Sequence, residues 1–179
     1  MKWSFEVARG PLAIDAVDGA ENDFFVAGAS TRPVGAHFRV PSRWWSSLAI
    51  IARPFLFVKR EWEPGGSVLA LLHRRGPAAE RALDLAAQIA GFGSGNLTVA
   101  ATGDLAASDD FAAWVSGLLA RHSLILQTET AAAEPAALRG RIIELDCRLL
   151  VAEATTDETR VTALRELVEH AACDVLIIR

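Results

Sequence analysis

Two cysteines in 179 residues, Cys147 and Cys173, are too few for a disulfide framework. Each stands beside an apolar strand-like run, where a small packing residue is expected. Histidine is equally sparse: His37, His73, His122 and His170 are isolated from one another and from the cysteines, so metal-ligand spacing is absent and no metal is expected. Basic charge is also short, with 18 Lys and Arg against 22 Asp and Glu, a net charge of −4 and a pI of about 5.6. Phosphate-backbone binding needs clustered cations that release counterions, so nucleic acid is excluded as a partner. No apolar run reaches the roughly 18 to 20 residues of a membrane span, and MKWSFEVARG lacks the apolar centre of a signal peptide. No membrane association and a cytoplasmic location are therefore expected. With 51% hydrophobic and 22% charged residues, the chain reads as a soluble globular protein.

What is present is a repeat. AIIARPFLFVKR (49–60) and VEHAACDVLIIR (168–179) each run from an apolar helix-like stretch through a short break into four apolar residues and then a basic one. The middle of the chain looks like its end. Upstream, DFFVAGAST (23–31) matches RLLVAEATT (148–156), in each case a strand followed by a turn. More weakly, WSFEVARG corresponds in place to HSLILQTET. PLAIDAVDGAEN and SRWWSSLAIIA separate these blocks in the first copy, EPAALRGRIIEL and ETRVTALRELVEHA in the second, and all four read as short helices. Only the second copy is preceded by two further strand and helix units: SVLALLH with PAAERALDLAAQIAG, then NLTVAAT with SDDFAAWVSGLLARH.

Pro77 suits a first helical turn and Gly91 a stop, and Ala79, Leu83, Ala86, Ala87 and Ala90 make one small apolar stripe between them. That helix should pack closely on a sheet. Val68 to Leu72, Leu149 to Ala152 and Val175 to Ile178 are continuous apolar runs, as in strands covered on both faces. Alternation of such strands with helices implies an α/β fold with a parallel open sheet and right-handed crossovers. The Pro- and Gly-containing EWEPGG (61–66) separates residues 1–60, a partial copy, from residues 67–179, a complete one.

VLALLHRRGPAAERALDLAAQIAG at the opening and LRELVEHAACDVLIIR at the close of residues 67–179 resemble the universal stress protein family. Residues 1–60 are similar to the last three strands of another such domain, with FFVAG as fourth strand and RPFLFVK as fifth. The resemblance implies a Rossmann-like sheet of the adenine nucleotide alpha hydrolase-like type, strand order 3-2-1-4-5, in a tandem form with a shortened first copy. In the family resembled, such terminal strands often pair antiparallel between domains or subunits. The two endings are therefore expected to meet within one chain about a pseudo-two-fold axis. The shortened copy should leave apolar surface for a second chain, which favours a homodimer.

Nucleotide-binding relatives carry an acid at the tip of the first strand. After the fourth they carry glycine, two residues, glycine, nine residues, glycine and then Ser or Thr, so that backbone N–H groups can wrap phosphates. In the complete copy the first strand tip reads His73, Arg74, Arg75, Gly76, and AEATTDETR after the fourth strand holds no glycine. The partial copy keeps Gly28, has Thr31 in place of the second glycine with Ser30 just before it, and carries Ser46 and Ser47 near the last pair. Ser46 follows Thr31 after 14 intervening residues instead of nine, so the pattern reads as a remnant. His73, Arg74 and Arg75, beside a helix start at a strand tip, are the other candidate contacts, for a phosphate or carboxylate. GFGSGN (91–96) follows a helix and precedes a strand, the reverse of a dinucleotide loop, and reads as a connection.

No catalytic constellation is present. The leading expectation is a universal stress protein-like regulatory or binding protein in the stress response, not an enzyme. It would have a degenerate nucleotide site and no required cofactor, and would act through self-association or protein partners. One alternative binds ATP or AMP through non-standard contacts with at most slow hydrolysis. Another is a small α/β hydrolase or transferase using the HRRG turn as an anion clamp.

Overall fold

The computed structural model describes residues 25–28, 45, 54–59, 66–155 and 157–179. In chain order these hold β1 (Phe25–Gly28), β2 (Phe55–Val58), β3 (Ser67–Leu72), α1 (Pro77–Phe92), β4 (Asn96–Ala101), a 3-10 turn (Gly103–Ala107) and α2 (Phe111–Leu119). They continue with β5 (Ile125–Thr130), α3 (Pro135–Glu144), β6 (Cys147–Glu153), α4 (Glu158–His170) and β7 (Asp174–Ile178). The third strand expected in the partial copy, its two helices apart from Trp45, and nearly all of EWEPGG lie outside the described residues.

One sheet of seven strands runs β1-β2-β7-β6-β3-β4-β5. From β3 to β7 every neighbouring pair is parallel, in the 3-2-1-4-5 order expected for a complete copy. β1 and β2 are also parallel to each other, but β2 meets β7 antiparallel. The two endings thus lie side by side, and the sheet passes from one stretch of chain into the other without an edge.

The registers repeat as the sequence does. Phe25, Val26, Ala27 and Gly28 stand opposite Phe55, Leu56, Phe57 and Val58. Their counterparts Leu150, Val151, Ala152 and Glu153 stand opposite Val175, Leu176, Ile177 and Ile178, the counterparts of the same four partners. At the seam Phe55 faces Ile177, Leu56 faces Leu176, and Phe57 faces Val175. Exchanging every seam residue for its counterpart returns the same set of pairs, so a local two-fold passes through Leu56 and Leu176.

Strand alternation sends these residues to two cores. Phe25, Phe55, Phe57, Leu150, Val175 and Ile177 join Leu138, Ile142, Leu164 and Leu167 of α3 and α4. Half-buried Trp45 packs on the same cluster, its ring 6.2 Å from that of Phe57. Val68, Ala70, Leu72, Val99, Val151 and Leu176 face α1 and α2 instead. The predicted alanine stripe of α1 is buried, with Ala82 added, which lets that helix sit close across β3, β6 and β7. Its cover ends there. Val26, on the same face two strands beyond β7, is 61% exposed. Both cysteines are buried packing residues.

Polar groups close the seam. Lys59 donates its backbone N–H to Asp174 Oδ1 at 2.7 Å and its ammonium to Ala171 O at 2.9 Å. Burial pulls the Lys59 pKa from 10.5 down to about 8 despite the opposing charges of Cys173, Asp174 and Glu169. Ile177→Lys would put an unpaired charge between β2 and β6, and is expected to cost about 3 kcal/mol or more in urea unfolding. Val26→Lys, on the exposed face, should stay within about 0.5 kcal/mol of the parent. Equal stabilities for the two variants would show that the seam is not buried.

Candidate functional site

Ligands of parallel sheets collect beyond the carboxyl ends of strands where successive crossovers part to opposite sides. Here that place is between β3 and β6, because the chain steps outward from β3 to β4 and β5 and returns to β6 and β7 on the other flank.

β3 delivers His73 to this point and β4 delivers Thr102, which is fully buried. Thr102 donates both its N–H and its hydroxyl to Leu72 O, at 2.9 and 3.2 Å. Its one hydroxyl proton is thereby used, so the hydrogen bond between His73 Nδ1 and Thr102 Oγ1 draws its proton from the imidazole. The ring is then the Nδ1–H tautomer, with Nε2 an acceptor. Burial first, then the charges of Arg160 and Arg74, hold the His73 pKa below its ordinary value, which keeps the ring neutral.

β6 ends in Glu153, only 4% exposed. Its Oε2 accepts the His73 N–H at 2.9 Å, and the Arg74 N–H also supports the carboxylate. Burial raises the Glu153 pKa, and these amides with the charges of Arg74 and Arg160 offset only part of that rise. The backbone donors at the tip of β3, which could have met an external anion, are thus turned onto a side chain of the protein itself.

The next residues start α4. Asp157 Oδ1 accepts the Arg160 N–H at 3.1 Å, an N-cap that fixes Arg160 in the first turn. The Arg160 guanidinium forms no ion pair or hydrogen bond among the described residues. It lies over Gly103, with Nη2 3.7 Å from where a Cβ would stand, and the φ of +59° there suits glycine. Between these walls is a cavity of about 330 Å³. Leu71, Leu138, Leu164 and Leu167 form its buried part, with His73, Thr102, Asp157 and Arg160 completing it.

The structure separates the residues expected from sequence. Arg75 pairs with Asp110, bonds Ser108 Oγ at 3.0 Å and lies 5.3 Å over the Trp114 ring, so it is directed to α2 and away from the cavity. Arg74 is exposed beside Glu153. His73 alone of the HRRG turn lines the cavity. Gly28 ends β1, and because β2 is antiparallel to β7, that end lies at the opposite edge of the sheet from His73. Gly28 and His73 therefore cannot share one ligand within one chain. Ser30, Thr31, Ser46 and Ser47 lie outside the described residues. Thr102, Glu153, Asp157 and Arg160 were missed from sequence. The repeat held the signal for Glu153, since it aligns this residue with Gly28.

No protein-family model and no curated protein matches the chain. Solved structures do. A functionally unknown protein of Pseudomonas aeruginosa PAO1 superposes with TM-score 0.66 at 15% identity, over 97% of this chain and 68% of its own. A universal stress protein of Pseudomonas aeruginosa UCBPP-PA14 gives 0.64 at 16%, over 93% of this chain and 66% of its own. The chain thus spans about two thirds of the length of these neighbours. A shorter universal stress protein, solved in complex with cAMP, gives 0.51 at 19%, over 65% of this chain and 98% of its own. The chain has the fold of the universal stress proteins, a Rossmann-like α/β architecture with a mostly parallel sheet.

A carboxyl group whose folded pKa is raised binds protons more readily folded than unfolded, so its contribution to stability falls as pH rises from about 4.5 toward the folded pKa. Glu153→Gln keeps an acceptor for the His73 N–H and removes the charge. The variant should melt above the parent at pH 7, with the gap closing as pH falls from the raised folded pKa toward about 4.5 and staying closed below it. A gap independent of pH would mean that the charge of Glu153 carries no such cost.

Proposed function

We propose that the chain is a universal stress protein-like regulatory or binding protein of the stress response, built from a complete copy in residues 67–179 and a partial copy in residues 1–60. The partial copy is supported by the matching β1–β2 and β6–β7 registers and the local two-fold at the seam. It is supported too by neighbours that take up nearly the whole chain while exceeding its length. Its nucleotide site is degenerate.

One contact carries that reading: the Glu153 carboxylate on the His73 N–H. An incoming phosphate would have to displace a buried carboxylate from its donors and then lie near it, and like charges within a few ångströms raise the cost of holding either one. ATP is accordingly expected to bind weakly or not at all, and no cofactor is required for the fold. Saturating ligand at 100 times its dissociation constant stabilises by about 2.7 kcal/mol. Mg-ATP should leave the melting temperature unchanged within about 1 °C, whereas a rise of about 5 °C would overturn the degenerate site.

The alternative, AMP or ATP held by non-standard contacts, draws on the cavity beside Arg160 and on the neighbour solved with cAMP. Titration with AMP distinguishes it, because AMP carries one phosphate and no tail to place near Glu153. The HRRG clamp of a hydrolase or transferase has less support, since Arg75 is engaged with Asp110 and Trp114.

Function through association draws on the face that α1 leaves uncovered around Val26. A second chain covering it gives a homodimer. Light scattering at micromolar concentration should return twice the mass of 19.2 kDa, and a monomer would refute the dimer.

A further inference from the structure

The cavity beside α4 combines features that a nucleoside polyphosphate does not use well. Its buried part is aliphatic, built from Leu71, Leu138, Leu164 and Leu167. Among the described residues lining it, no aromatic face offers a base a stacking partner. Its volume of about 330 Å³ lies at the low end for small-molecule pockets, about 300 to 1,000 Å³. Charge is also limited. Among the described residues Arg160 is the one cation lining the cavity and forms no ion pair, and Glu153 and Asp157 stand close by.

A half-buried guanidinium held at a helix start is suited to a planar anion, which it can grip through two parallel N–H groups. The neighbouring carboxylates oppose any ligand with several negative charges but tolerate a ligand with one. The leucines reward an apolar body at roughly 25 cal/mol per Å² removed from water.

We propose that this cavity binds a small organic monocarboxylate with an aliphatic body, the carboxylate on Arg160 and the body against the four leucines. The assignment deepens the preceding reading, on which it rests for the absence of polyphosphate binding. It makes the protein a receptor for medium-chain amphipathic acids, with the ligand bridging α3, α4 and the tips of β3 and β4.

Isothermal titration at pH 7.5 with octanoate, octanol and Mg-ATP, on the full chain, tests it. Octanoate should bind, octanol at least about 10-fold more weakly, and Arg160→Gln should weaken octanoate by about 10-fold or more while leaving octanol unchanged. Ala163→Trp, a half-buried change on α4, should block octanoate by filling the cavity, with circular dichroism verifying that both variants remain folded. Octanol binding as tightly as octanoate, or Arg160→Gln binding octanoate unchanged, would overturn the carboxylate assignment. No octanoate binding to the parent would overturn the inference and leave the degenerate-site reading standing. Mg-ATP binding in place of octanoate would overturn both.

Discussion

The antiparallel contact between β2 and β7 is the constraint on which the rest of the architecture depends. Phe55 to Val58 and Val175 to Ile178 are each a last strand, apolar enough that solvent-facing backbone N–H and C=O groups on that side would invite pairing with another chain. Paired with each other, they become the inside of one sheet, and Phe55, Phe57, Val175 and Ile177 complete a core that neither stretch could close alone. The contact also fixes polarity. β1 and β2 point opposite to β3 through β7, so residues occupying equivalent positions in the repeat end at opposite edges of the sheet.

That polarity explains why much of the fold was legible in the sequence and the site was not. Apolar runs such as Val68 to Leu72 and the alanine stripe of α1 report burial directly, because a strand covered on both faces and a close-packed helix each demand a particular residue pattern. The repeat went further and led to the antiparallel meeting of the two endings, whose register the structure supplies: a slip by one residue would have moved Phe55 and Phe57 to the wrong face. The 3-10 turn after β4 had no such periodic signal. Site residues come from four separate loops and strand ends, and nothing in their spacing along the chain expresses that Thr102 would spend its hydroxyl on Leu72 O or that Arg160 would lie over Gly103. A basic pair such as Arg74 and Arg75 is visible in sequence, yet Asp110 and Trp114 claim one of the two.

Glu153 shows how a single position can change the chemistry of a fold without changing its geometry. At the corresponding point of the sequence repeat stands Gly28, which has no side chain to offer such a carboxylate. In β6 the same register places a carboxylate there, and the strand tip opposite supplies N–H groups to it. The fold still directs backbone donors toward the switch point, as it must, because strand and crossover geometry set those directions. What differs is the anion they meet. A buried carboxylate tethered through its own strand has no translational freedom left to lose, so it competes for those donors at an effective concentration that a free phosphate cannot match. The donors at the tip of β3 are thereby occupied, and the cavity under α4 is left with Arg160, whose guanidinium forms no ion pair or hydrogen bond among the described residues.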